Sequence, residues 1–131
     1  MKELEQDFSG LRVLLAEDEE MATKLARGAL RLAGITHVVY CRDGAEAVKA
    51  LDAERGSFQL VISDWNMPTI SGIDLLRYVR MHHQPLKFIM LTGRKQTDAV
   101  LQARELDVDA YVVKPFSPEA LKKKIEILFR L

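Results

Sequence analysis

Four places in this 131-residue chain put chemically competent side chains directly after short apolar runs. Glu17-Asp18 follow Leu11 to Ala16, and Asp64 ends Leu60-Val61-Ile62-Ser63-Asp64. Thr92 closes Lys87 to Leu91, and Lys114 closes Ala110 to Val113. Brought to one place, three carboxylates would repel one another and raise each other's pKa unless a cation sat among them. A hard, oxygen-rich site of that charge suits a divalent ion such as magnesium, which keeps waters and also binds phosphate oxygens. The chemistry then available is phosphoryl transfer to a carboxylate. Asp64 would attack, the metal and the Lys114 ammonium would neutralise phosphoryl oxygens, and the Thr92 hydroxyl would donate to another.

The elements that could bring these groups together are legible as an alternation of apolar runs and helical periods. Leu11 to Ala16, His37 to Cys41, Leu60 to Asp64, Lys87 to Thr92 and Ala110 to Lys114 read as five strands, several apolar enough to be covered on both faces. Between and after them lie five helical patterns. The first carries Met21, Leu25, Ala29 and Leu32 and stops at Gly34; the second runs from Ala45 to Arg55, entered through Asp43-Gly44 and closed by Gly56. The third carries Ile73, Leu75, Leu76 and Val79 through about His82, and the fourth spans Gln96 to about Leu106. The fifth spans Ser117 to Phe129, with Pro118 in its first turn. Strict alternation with short connections predicts right-handed crossovers and a doubly wound α/β fold, a parallel sheet with helices on both faces. All carboxyl ends then share one edge, where ligands bind in open sheets of this kind.

Composition excludes several classes. With 19 basic and 19 acidic residues the formal charge is zero, so no net field draws the chain to nucleic acid or an anionic membrane. The single cysteine, Cys41, rules out an internal disulfide or a cysteine-rich zinc site, and its apolar surroundings predict a buried thiol in a reducing compartment. Residues 1–8 are too acidic and broken for a signal peptide, and no apolar run approaches the roughly 20 residues of a membrane span. The expectation is a cytoplasmic protein, with residues 1–9 as an extension and residues 10–131 as one domain.

Taken singly, these residues have plainer uses. Glu19 and Glu20 suit the first turn of a helix through its dipole. His82 and His83 are adjacent, so they point to different sides of their helix. Lys122-Lys123-Lys124 fit a solvated face beside the apolar stripe of Leu121, Ile125 and Leu128. Trp65 would be a partly exposed aromatic near the site mouth.

Taken together, Glu17-Asp18, Asp64-Trp65-Asn66-Met67-Pro68 with Gly72, Thr92-Gly93 and Tyr111-Val112-Val113-Lys114-Pro115-Phe116 resemble the receiver domain of two-component response regulators, the single-domain chemotaxis type above all. The resemblance covers about residues 10 to 130. It implies a five-stranded flavodoxin-like sheet of order 2-1-3-4-5 and Asp64 as acceptor of a phosphoryl group from a histidine kinase or histidine phosphotransfer protein. It implies magnesium held by Glu17, Asp18, Asp64 and the backbone carbonyl of Asn66, and a cis Lys114-Pro115 bond. Thr92 and Tyr111 would be the switch pair, and Asn66 and Arg94 would flank the water that hydrolyses the phosphate. Output would pass to a protein target through strand four, the helix after it and strand five, with a sink or relay role as the alternative. A monomer is expected, with dimerisation on phosphorylation as the variant, and catalysis limited to the domain's own phosphorylation and dephosphorylation. The chain departs from the family pattern at Glu17, where Asp is common, at Gly93, where Ala is usual, and at Arg94, a long cation beside the site.

Two other aspartyl or flavodoxin-like readings fit less well. A haloacid dehalogenase type enzyme needs a second aspartate two residues past the nucleophile, where this chain has Asn66. A flavin carrier needs a Ser/Thr/Gly phosphate loop after strand one, where this chain has four acids.

Overall fold

A computed structural model describes residues 8–93 and 106–130. The strands are β1 (Arg12–Ala16), β2 (His37–Cys41), β3 (Leu60–Asp64), β4 (Lys87–Thr92) and β5 (Ala110–Val113). They form one parallel sheet of order β2-β1-β3-β4-β5, as expected. The helices among the described residues are α1 (Glu20–Leu32), α2 (Gly44–Ala53), α3 (Gly72–His82) and the C-terminal α4 (Pro118–Leu128). The helix expected between β4 and β5 lies outside the described residues, as does Arg94.

Alternation of side chains along each strand divides the core in two. Leu14, Ala16, Val61, Phe88 and Met90 face α2 and α3, while Val13, Leu15, Leu60, Ile62, Ile89 and Leu91 face α1 and α4. Phe8, which the sequence places in the extension, is buried in the second cluster. Side-chain caps start three of the four described helices, α1 having none. Asp43 accepts from the Glu46 amide at 2.9 Å, Ser71 from Asp74 at 3.2 Å and Ser117 from Ala120 at 3.1 Å. Lys122 stands half-exposed and Lys123 and Lys124 fully so, on the side of α4 away from buried Leu121 and Ile125.

Two expectations are corrected. The inward face of α1 is Ala22, Ala26, Ala29 and Leu30, whereas Met21 is 62% exposed and Leu32 53%. The helix turns its small residues inward, and Gly28 lies beside Pro118 of α4, where an added Cβ would make an ordinary contact at 3.5 Å. Trp65 is not a mouth residue: it is 5% exposed and belongs to the cluster under α2 and α3, with Met67 and Ile70 packed against that cluster.

Candidate functional site

The sheet register aligns the ends of the strands. Ala16 pairs with Ser63, Asp64 with Leu91, and Thr92 with Val113. Backbone bonds extend the alignment past the strands: Glu17 N–H donates to the Cys41 carbonyl at 3.0 Å, Trp65 N–H to Leu91 at 2.8 Å and Lys114 N–H to Thr92 at 2.7 Å. One edge therefore carries Glu17, Asp18, Asp64, Thr92 and Lys114.

Glu17 and Asp64 are buried there, Asp18 is exposed, and carboxylate oxygens from the three lie within 4.8 Å of one another. Lys114 Nζ stands 2.8 Å from Glu17 Oε1 and 3.3 Å from Asp64 Oδ1, with Glu19 Oε1 at 3.8 Å. Glu19 thus approaches the site that the sequence denied it, while its own backbone N–H donates to Glu17 Oε2 at 3.1 Å. The Lys114-Pro115 bond is cis, and so is Gln84-Pro85, which the sequence did not suggest.

Burial pushes the Asp64 carboxyl above its ordinary range, although Lys114 and the backbone N–H groups of Asn66 and Trp65 favour its charged form. Burial likewise raises Glu17, against the pull of Lys114 and the Glu19 amide and with the help of the Asp64 charge. For Lys114, burial alone would lower the pKa, and contact with Glu17 and Asp64 more than reverses it, so the ammonium persists. Two buried carboxylates, Glu17 and Asp64, share the one Lys114 ammonium, with exposed Asp18 close by, an incomplete neutralisation. Their oxygens are the donor type that magnesium prefers, so the residues fit the ion.

Thr92 is fully buried at the end of β4, on the same edge. Tyr111 is half-buried, packed against the cluster under α2 and α3. Asn66 is exposed in the loop after β3, and Arg94 falls outside the described residues. His83 is buried with Nε2 2.9 Å from Asp52 Oδ1 and His82 is exposed, so the two differ in burial, although both rings pack against Tyr78. Cys41 is buried, its thiol pushed up to about 11 by burial and then by Glu46 and Asp43, so it is inert at neutral pH.

The loop after Asp64 is held by contacts the sequence did not disclose. Gly72 N–H donates to the Trp65 carbonyl at 2.8 Å, and a Cβ at Gly72 would lie 2.1 Å from the Asp64 carbonyl oxygen. On the outer side, Ala45 N–H donates to Thr69 Oγ1 at 3.0 Å and Gly44 N–H to the Pro68 carbonyl at 3.3 Å. Pro68 and Gly72 were marked by the motif and Asp43-Gly44 read as a helix entrance, but neither signal disclosed that the two segments meet.

A doubly wound sheet of order 2-1-3-4-5 with acids and a lysine gathered at its carboxyl edge defines a flavodoxin-like domain with a charged switch-point site. The chain belongs to the response regulator receiver domain family, whose model matches residues 13–126. It is 36% identical over 123 residues to the chemotaxis protein CheY of Pseudomonas aeruginosa, covering 91% of this chain and 96% of that protein. CheY1 of Helicobacter pylori is 32% identical over 120 residues, 90% of this chain and 96% of that one. The solved structure of the chemotaxis response regulator CheY4 of Vibrio cholerae superposes with a TM-score of 0.81 at 28% identity, covering 91% of this chain and 98% of that one. It is a receiver domain of the CheY type by these likenesses, and proteins of that type are signalling proteins and not classical enzymes. No helix among the described residues is long and apolar enough to cross a membrane.

Proposed function

We propose that residues 10–131 act as a response regulator receiver in which Asp64 accepts a phosphoryl group from the phosphohistidine of a histidine kinase or histidine phosphotransfer protein. The carrying observation is Lys114 Nζ within 3.3 Å of Asp64 Oδ1 beside three clustered carboxylates. In the transfer, an Asp64 oxygen forms a bond to phosphorus as the phosphorus–nitrogen bond breaks, and the imidazole keeps the electron pair. Glu17, Asp18, Asp64 and the Asn66 carbonyl would hold magnesium, which supplies charge neutralisation to the carboxylates and the incoming phosphoryl group. Lys114 pairs with the phosphoryl oxygens from the β5 side, and the Thr92 hydroxyl donates from the end of β4. Asn66, with Arg94 as the second residue that the family resemblance implies, would tune the lifetime of the acyl phosphate.

The signal then leaves by protein contact. Thr92 and Tyr111 sit on β4 and β5, so drawing Thr92 toward a phosphoryl group biases the surface of β4, the segment after it and β5 between two arrangements. Intact-mass spectrometry after incubation with acetyl phosphate and magnesium should show one added phosphoryl group, absent in Asp64→Asn. Undiminished labelling of that variant would move the acceptor elsewhere. Amide NMR with beryllofluoride should shift β4 and β5 residues, whereas shifts confined to the neighbourhood of Asp64 would favour a phosphate sink.

A further inference from the structure

Thr69 has an unusual backbone. Its φ is 68°, in the left-handed region that β-branched residues avoid, and neither glycine nor asparagine occupies the position. A strained conformation of this kind persists only where the surroundings determine it from several sides, and such outliers gather at functional sites. Here the surroundings are the amino terminus of α2. Thr69 Oγ1 accepts the Ala45 N–H at 3.0 Å and donates to Asp43 Oδ1 at 3.3 Å. The same Asp43 oxygen caps α2 by accepting from Glu46 N–H at 2.9 Å. Gly44 N–H donates to the Pro68 carbonyl, and the two segments are so close that a Cβ on Gly44 would stand 2.3 Å from the Ile70 carbonyl oxygen.

These contacts tie the far end of the loop that starts at Asp64 to an element that carries no member of the charged cluster. The near end is tied by the Trp65 N–H bond to the Leu91 carbonyl, and Gly72 N–H closes the loop back onto the Trp65 carbonyl. Between the two ties lies Asn66, whose carbonyl faces a positional demand if it is to serve with Glu17, Asp18 and Asp64. We propose that Thr69 is a positioning residue: its hydroxyl latches the Asp64–Gly72 loop to the start of α2 and thereby sets where the Asn66 carbonyl and the Asp64 carboxylate stand for magnesium and the phosphoryl group. This rests on the site reading given under Proposed function. The left-handed Thr69 backbone is the conformation that brings its hydroxyl between the Ala45 N–H and Asp43, and α2 is thereby part of the site's framework.

The test separates positioning from folding. Thr69→Gly removes the hydroxyl while relieving the backbone, Thr69→Ser keeps the hydroxyl, and Gly44→Ala pushes the loop from the α2 side. Magnesium affinity is read from Trp65 fluorescence, and Asp64 labelling from acetyl phosphate kinetics. Thr69→Gly should melt within a few degrees of the wild type yet bind magnesium and label roughly three- to ten-fold less well, as expected for a small misplacement of reacting groups. Thr69→Ser should restore both, and Gly44→Ala should reproduce the defect. Wild-type magnesium affinity in folded Thr69→Gly, or losses that merely track Tm across the variants, would overturn the latch. A wild type that binds magnesium and accepts no phosphate would instead defeat the acceptor reading, and the latch would stand or fall on magnesium affinity alone.

Discussion

Replacing Gly72 by alanine is a sharp test of how the acceptor loop is built. Gly72 opens α3, and its backbone conformation is one alanine adopts readily, so helix propensity favours the change by up to about 1 kcal/mol. Space opposes it. The new Cβ would sit 2.1 Å from the Asp64 carbonyl oxygen and 2.9 Å from both the Asp64 carbonyl carbon and Trp65 Cα. All three are backbone atoms, so no rotamer change relieves the contact. An ordinary carbon–oxygen approach of about 3.3 Å requires the start of α3 or the end of β3 to move by roughly 1 Å. Overpacking of this kind costs about 1–3 kcal/mol, and disrupting the Gly72-to-Trp65 hydrogen bond adds about 1 kcal/mol. Net of propensity, Gly72→Ala should be destabilised by about 1–3 kcal/mol, a fall in Tm of roughly 4–12 °C for a domain of this size. Thermal unfolding by circular dichroism measures it, with Asp64 labelling followed alongside. A Tm within 2 °C of the wild type with undiminished labelling would show that the loop relaxes freely, contrary to the close approach argued here.

Two further outcomes follow from the charged edge and from the far end of β5. Glu17 and Asp64 both have folded-state pKa values raised above their ordinary 4.5 and 3.8, so they contribute stability that is present below those values and is lost as pH rises through the folded ones. In EDTA, Asp64→Asn should therefore melt a few degrees above the wild type at pH 7.5 and level with it near pH 4. A variant that is less stable than the wild type at pH 7.5 would refute the incomplete neutralisation. Arg80 donates to the Asp107 and Leu86 carbonyls and pairs with Asp109 at 2.7 Å, clamping the entry to β5. Arg80→Ala should lose about 2–4 kcal/mol by urea unfolding, and a loss under about 0.5 kcal/mol would show the clamp to be ornamental.

The sheet was legible because each strand is an apolar run ended by a charge or a turn, and because the alternation admits one kind of connection. What escaped depended on approach distance or on backbone conformation. In α1 the large apolar residues Met21 and Leu32 marked the wrong face, since the helix turns its small residues inward and leaves these longer side chains outside. Trp65 was misplaced for a related reason. The chain folds back through the Gly72 bond to the Trp65 carbonyl, and Trp65 ends in the core between the acceptor and its loop. That Asp64, Glu17, Asp18, Thr92 and Lys114 share one edge was readable from the strand ends. The part played by Thr69 was hidden, since Pro68-Thr69-Ile70 contains no residue type that announces a left-handed turn.

The order of the strands gives the lysine its meaning. Lys114 follows β5 and Glu17 follows β1, with β3 and β4 between them. At about 4.8 Å per strand the two backbones stand roughly 14 Å apart, so their 2.8 Å contact can be made only by side chains reaching across the ends of the intervening strands. Those ends carry Asp64 and Thr92. The Lys114–Glu17 pair thus spans the edge where Asp64 lies, and Lys114 holds the nearer contact with Glu17 and the longer, 3.3 Å contact with Asp64. A cation held by Glu17 and Asp18 would draw on the carboxylate that Lys114 contacts. Whatever weakens the Lys114–Glu17 contact releases the ammonium toward Asp64, and an ammonium released in that direction is what an added phosphoryl group at Asp64 would require.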